Sequence, residues 1–338
     1  MHYYFYLVLI IILIILFLIF NRTSKKPSDH QLFSNALNAL VNNEKKRAYE
    51  ILKQIISKDS SHQEAYLLLG NLYREKNIEK AIRIHQSLVI RPNLSKEFKF
   101  QVHKSLALDY LDYDNIEKAK KELSNCLSIR PREYWVLNQL KNLSVEQKNW
   151  GDALIYEEKI LKFFPENKET DASMLNYFLA KDFQKKDNYK KYVYHLKKSI
   201  SYANVYPKAF RDLCLLQDNS LDKMIEYFVN YVTIQKNDFV DDCKLIEQKL
   251  FDMNAYHQIE NLYRQILDSN FNSFAFNRLT DILLEKNEKD KANELIQSVI
   301  HEMPNPIIRL NQIKLKVNDL EIRKSLSILC NEMVIDEK

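Results

Sequence analysis

The sequence predicts an all-α fold of stacked helix pairs. Three observations predict it: glycine and proline are scarce, apolar residues recur at helical spacing, and the pattern repeats every 34 residues. Only 2 Gly and 7 Pro occur in 338 residues, too few for the turns that a sheet protein needs every 8–12 positions. A chain of this length exceeds what one hydrophobic core usually takes, which favours a repeat array.

Composition excludes several function classes. The 50 basic and 45 acidic residues leave a net charge of +5, and no basic stripe stands out, so a nucleic-acid partner is not expected. Cys126, Cys214, Cys243 and Cys330 form no CxxC pair. Sparse, unpaired cysteines fit a reducing compartment and give neither a thiolate metal site nor a redox pair.

The first element is the apolar start. Residues 3–20 carry no charge, and all but Tyr3, Tyr4 and Tyr6 are Leu, Ile, Val or Phe. As a helix they span about 27 Å at 1.5 Å per residue, close to the ~30 Å hydrocarbon layer. Their insertion is favoured by roughly 5–9 kcal/mol. No Lys or Arg precedes this run, and no small-residue cleavage site follows Phe20. Both features argue for an uncleaved anchor over a signal peptide. Arg22, Lys25 and Lys26 follow the span, so the positive-inside rule places the bulk of the chain in the cytoplasm. The domains read as 1–21 transmembrane anchor, 22–30 basic polar tether, 31–306 solenoid and 307–338 C-terminal capping helix.

The repeat comes next. Ala119 and Ala153 are 34 residues apart, as are Pro131 and Pro165, and Ala292 to Pro304 repeats the step from Ala119 to Pro131. Ala107, Tyr110, Ala119, Leu123 and Pro131 follow the spacing of tetratricopeptide (TPR) units. Leu69, Gly70, Tyr73 and Ala81 start another unit, one residue shorter. Small residues at Gly70 and Ala107 on first helices, and at Ala48, Ala81, Ala119, Ala153 and Ala292 on second helices, let paired helices approach. Proline then ends the second helix. One pair cannot bury its apolar stripe, but stacked pairs can. About eight pairs are predicted, starting near residues 29, 63, 100, 134, 168, 207, 241 and 273, with a last helix from Leu320 to Met333. Tyr192 and Met224 fall near the small-residue position of the degenerate middle units. The fold class is thus an all-α TPR superhelical solenoid with one N-terminal transmembrane helix.

No catalytic constellation accompanies this pattern. His85 and His103 fall at packing positions, and neither has a Ser or Cys nucleophile with a local signature. Two glycines cannot supply a phosphate loop. No enzyme and no cofactor are expected. TPR arrays present positions 2, 5, 9 and 12 of each first helix on their concave face. Three successive units place there Asn71 and Arg74, then Lys104, then Trp135 and Asn142, which are the candidate partner-binding residues. Asn71 and Lys104 suit a peptide backbone or carboxylate, and Trp135 suits an anchor pocket. Trp150, three residues before Ala153, is expected to pack at the turn between helices.

An N-terminal apolar span followed by Leu69-Gly70-Asn71-Leu72-Tyr73-Arg74 and Ala81-Ile82-Arg83-Ile84-His85-Gln86-Ser87-Leu88 resembles the lipopolysaccharide assembly protein B (LapB/YciM) family. The resemblance implies a single-pass inner-membrane protein of Gram-negative bacteria with a cytoplasmic TPR array. It further implies an adaptor that regulates lipopolysaccharide synthesis by promoting degradation of the deacetylase LpxC by the membrane protease FtsH, modulated by a partner in the inner membrane. The family pattern ends in a rubredoxin-like metal domain held by two CxxC pairs. Such pairs are absent from this sequence, so a form lacking that domain, and no metal, is expected. The alternative function is a TPR scaffold for another envelope machine, such as a pilus or secretion system.

Overall fold

With so little glycine, the turns fall to Asn and Asp. A computed structural model describes residues 10–15, 29–166, 170–216, 219–235, 239–300 and 305–336, with side chains through 333. In the turns that lead into six second helices one residue adopts a left-handed backbone: Asn43, Asp114, Lys148, Asp187, Asn254 and Asn287, with φ between 52° and 63°. Five are Asn or Asp, which tolerate this region; Lys148 does not share that tolerance. Asparagine also caps several second helices. The side-chain oxygens of Asn77, Asn115, Asn149 and Asn188 accept the N–H groups of Lys80, Lys118, Asp152 and Lys191.

The regular elements between Asp29 and Asp336 are all helices. Contacts divide the chain into two units, one through Gln147 and one from Lys148. The first holds α1 (Asp29–Val41), α2 (Lys45–Lys58), α3 (Gln63–Arg74), α4 (Ile78–Val89), α5 (Lys96–Asp112), α6 (Ile116–Ile129) and α7 (Tyr134–Glu146). Consecutive helices pack on one another, and α3 also touches α5, the next first helix. This is TPR-like pairing. Ala36, Leu52, Ile55 and Ala65 lie in one buried cluster, and Leu88, Val102, Leu106 and Ala119 lie in the next. Pro131 and Pro165 each stand two residues past the helix they close, α6 and α8.

The second unit holds α8 (Trp150–Phe163), α9 (Ala172–Lys185), α10 (Tyr189–Ser199), α11 (Lys208–Cys214), α12 (Leu221–Gln235), α13 (Val240–Asp252), α14 (Gln258–Ser269), α15 (Ser273–Glu285), α16 (Lys289–Ile300), α17 (Pro306–Lys316) and α18 (Leu320–Asp336). Its largest core cluster runs from Cys214 through Phe228, Ile246 and Tyr263 to Ala292. Where the sequence reading puts one capping helix over 307–338, two helices stand, and both α17 and α18 pack on α15.

The small-residue positions behave as their spacing predicts. Ala48, Ala81, Ala107, Ala119, Ala153 and Ala292 are fully buried. Tyr192 and Met224 occupy the same place in the middle pairs and are buried as well. Trp150 stacks on Phe178, with ring centroids 4.6 Å apart.

The predicted anchor at 3–20 and the tether at 22–30 fall mostly outside the described residues, as does Pro304. Residues 10–15 are helical, and their six Ile and Leu side chains are each about half exposed. Asp29 and His30 already belong to α1. Among the described residues no helix is long and apolar enough to cross a membrane. The predicted transmembrane helix therefore finds no support in the described fold, which is all-helical and TPR-like.

Candidate partner-binding face

Three first helices of the first unit, α3, α5 and α7, carry the predicted residues. Asn71 and Arg74 lie one turn apart on α3, and the Arg74 guanidinium donates to the Asn71 side-chain oxygen at 3.0 Å. Arg74 also reaches α5, where its Nε donates to Asp109 Oδ1 at 2.6 Å and an Nη to the Ser105 carbonyl at 3.1 Å. Lys104, beside Ser105, sits over the Trp135 ring of α7 with 4.7 Å from ammonium to centroid. Asn142 is exposed on α7. The fold thus joins Asn71 with Arg74 and Lys104 with Trp135. It commits the Arg74 guanidinium to α5, so Arg74 links two repeats.

Asp109 is the residue that the sequence reading missed. Its carboxylate is fully buried, and its second oxygen faces His85 Nδ1 of α4 at 2.5 Å. His85 Nε2 faces the Leu67 carbonyl at 3.2 Å. Both ring nitrogens face oxygens, and Arg74, His85 and Asp109 form one linked polar cluster around the buried carboxylate. The ring explains Gly70. A Cβ built on Gly70 would stand 2.3 Å from His85 Nε2. The signal for Asp109 was present: it lies between Leu106, Ala107 and Tyr110, on the buried face of α5. His103 does not share this environment; its Nδ1 meets Glu122 at 2.6 Å, and both are partly exposed.

The same construction recurs in the second unit with different residues. Lys181 of α9 donates to Asp212 of α11 at 2.8 Å, and Arg211 of α11 to Asp242 of α13 at 2.7 Å. Arg278 of α15 holds Glu247 of α13 through two bonds of 2.9 Å, and Lys314 of α17 donates to Asp281 of α15 at 2.6 Å. Each rung joins successive first helices about one repeat apart in sequence. In two rungs the intervening second helix adds a phenol: Tyr231 donates to Asp242 and Tyr263 to Glu247, both at 2.6 Å. Tyr192 of α10 stands against Asp212 likewise. Burial first, then the neighbouring charges, raise the phenols of Tyr192, Tyr231 and Tyr263 above the ordinary tyrosine value, which keeps them protonated donors.

None of this resembles a catalytic centre. The four cysteines are buried, and burial pushes the thiols of Cys126 and Cys214 up to about 12, the opposite of an activated nucleophile. The arrangement is that of a scaffold whose first helices are cross-linked from one repeat to the next.

No family model matches the sequence. The chain is similar to lipopolysaccharide assembly protein B of Escherichia coli K12, 26% identical over 169 residues that cover 49% of this chain and 43% of that protein. The protein of the same name from Haemophilus influenzae is 27% identical over 169 residues, covering 45% of this chain and 42% of its own. The chain therefore matches less than half the length of these relatives, and over that stretch it is LapB-like. Among solved structures, a tetratricopeptide repeat protein from Parabacteroides merdae covers 89% of this chain and 98% of its own, with a TM-score of 0.39 and 14% identity.

Proposed function

We propose that this chain is a membrane-held TPR adaptor that regulates lipopolysaccharide synthesis by presenting a client protein to a membrane protease. The observation that carries the reading is the similarity to lipopolysaccharide assembly protein B over 169 residues. The TPR-like helix pairs support it, because stacked pairs offer extended faces for protein partners. The partners are an FtsH-type protease, an LpxC-type deacetylase as client, and a regulator in the inner membrane.

In this reading residues 3–20 form a single-pass anchor in the inner membrane. Their composition supports it: residues 3–20 carry no charge and are almost all Leu, Ile, Val or Phe. The basic residues after Phe20 place the helix pairs in the cytoplasm. Asn71, Lys104, Trp135 and Asn142 contact the client, with Trp135 as the aromatic anchor, while Arg74 keeps that face in register.

The test is affinity purification of the tagged full chain from detergent-solubilised membranes. The protease and the deacetylase should co-purify, and substituting Trp135→Ala together with Asn142→Ala should deplete the deacetylase. Absence of both proteins from the eluate would overturn the reading.

A further inference from the structure

We infer that the Tyr49–Tyr73 pair of the first unit, with Lys53, Lys76 and Lys80 around it, is a binding site for a phosphoryl group, carried by an anionic lipid headgroup or by free phosphate. Tyr49 belongs to α2 and Tyr73 to α3. Their phenol oxygens lie 2.7 Å apart, and the rings meet edge to face with centroids 5.6 Å apart. Lysines reach this pair from three places. Lys53 of α2 and Lys76 of the α3–α4 turn stand 5.4 Å and 5.8 Å from the Tyr49 ring centroid, and Lys80 of α4 stands 4.3 Å from that of Tyr73. The tyrosines are half-buried, and the three lysines are exposed.

The charges around the pair choose the ligand. Among the described residues none of the three lysines meets a carboxylate within 4 Å, unlike the cations of the rungs. Glu75, which adjoins Lys76, is held by Lys45 at 2.6 Å, and Glu50 is felt at the Tyr49 phenol less strongly than Tyr73 is. Two hydroxyls that share one hydrogen bond leave one O–H to donate elsewhere. Tyr73 keeps it. Bonds from Lys80, and then from Tyr49, hold the Tyr73 phenol below the usual tyrosine value, while donation to Tyr73 raises that of Tyr49. The site thus offers three ammonium groups and one polarised hydroxyl. A carboxylate brings one charge and two oxygens to it; a phosphoryl group brings about −1.5 to −2 charges and three acceptor oxygens, the closer match. The inference does not rest on the adaptor reading.

Phosphorus NMR tests it on the full chain in dodecyl maltoside micelles, which contain no phosphorus. Inorganic phosphate and dihexanoyl phosphatidic acid are titrated separately, each against empty micelles. Broadening of at least one resonance should fit a Kd on the order of 1 mM. Tighter binding of the lipid assigns a headgroup, and tighter binding of phosphate a soluble ligand. Lys76→Gln/Lys80→Gln should weaken binding about tenfold and Tyr73→Phe about threefold, with circular dichroism unchanged. Lys190→Gln/Lys197→Gln, which removes two exposed lysines of the second unit, should change it by less than about twofold. Acetate should compete at least about tenfold more weakly than phosphate. Failure of both phosphorus compounds to bind, equal competition by acetate, or equal losses from the two lysine pairs would overturn the inference. Each of those results leaves the co-purification experiment free to succeed, so the two failures are distinguishable.

Discussion

The two units solve one problem with different residues. A repeat array must hold successive first helices in register, and in each unit an ion pair between neighbouring first helices does so. In the first unit the rung is Arg74 to Asp109, completed by His85 of the intervening α4. In the second it is Arg211 to Asp242 or Arg278 to Glu247, completed by Tyr231 or Tyr263. The first rung is dry: Asp109 is fully buried, against 16% exposure of the Asp242 side chain. It also demands a glycine, because the imidazole fills the space above Gly70. The phenol-completed rungs make no such demand; among the described residues the glycines are Gly70 and Gly151, and Gly151 meets no close neighbour. A buried charge cluster gains specificity of pairing at the risk of a large loss when one member goes, and the more solvated rungs trade both down.

The two tryptophans let this contrast be measured, since Trp135 lies in the first unit and Trp150 in the second. In a Trp150→Phe background, urea unfolding followed by Trp135 fluorescence reports the first unit, and Trp135→Phe reports the second. The largest effect is expected for Gly70→Ala. The new methyl group must displace His85 from Asp109, at a loss of about 3 kcal/mol or more in the first unit. A loss below about 1 kcal/mol would mean that the imidazole has another place to go.

Asp109→Asn comes next, with about 3 kcal/mol lost, because Arg74 and His85 then face each other without a buried carboxylate. The matching change in the second unit, Asp242→Asn, should cost about 1–2 kcal/mol, since Arg211 and Tyr231 retain access to water or to the amide oxygen. Equal losses in the two units would erase the distinction drawn between dry and wet rungs.

Acid sensitivity supplies a smaller effect. The hydrogen bond from Lys286, and then that from Arg264, hold the Glu260 carboxyl below the usual glutamate range, against the desolvation that raises it. A folded value below the unfolded one gives stability that is present above about pH 4.3 and lost as pH falls through the folded value. Glu260→Gln should cost about 0.5–1 kcal/mol at pH 7 and nothing measurable once wild-type Glu260 is itself protonated, in urea titrations of both chains across pH 7 to 2.5. A difference that persists at the lowest pH would assign the effect to packing. The smallest change is Lys148→Asn, expected to stabilise by about 0.5 kcal/mol by placing a tolerant residue at φ 56°.

The pairing was legible because the 34-residue spacing of Ala119 with Ala153 and Pro131 with Pro165 states both where helices touch and where they stop. Local chemistry repeated at fixed distance needs no tertiary information. The first helices beginning at Asp29, Gln63, Lys96, Tyr134, Ala172, Lys208, Val240 and Ser273 lie within four residues of the predicted starts. The rungs were not legible. Arg74 and Asp109 are 35 residues apart, and nothing local to either says that they meet. Read on its own helix, Arg74 looks like a groove residue, whereas in three dimensions it is a cross-link. The shortened α11 was hidden as well, because Lys208 to Leu216 keeps a helical pattern past the point where the helix stops. Residues 3–20 remain a matter of composition, since only 10–15 are described.

The claim that this array holds a client is tested most directly by crosslinking in the membrane. A photoreactive amino acid placed at Asn142, and separately at Trp135, is irradiated in cells and its adducts are identified by mass spectrometry. The account predicts adducts with the deacetylase-type client from both positions, diminished by Asp109→Asn, which loosens the rung behind that face. Adducts that form equally from an exposed site on the second helices, such as Ser124 of α6, and never from Asn142 or Trp135, would contradict it.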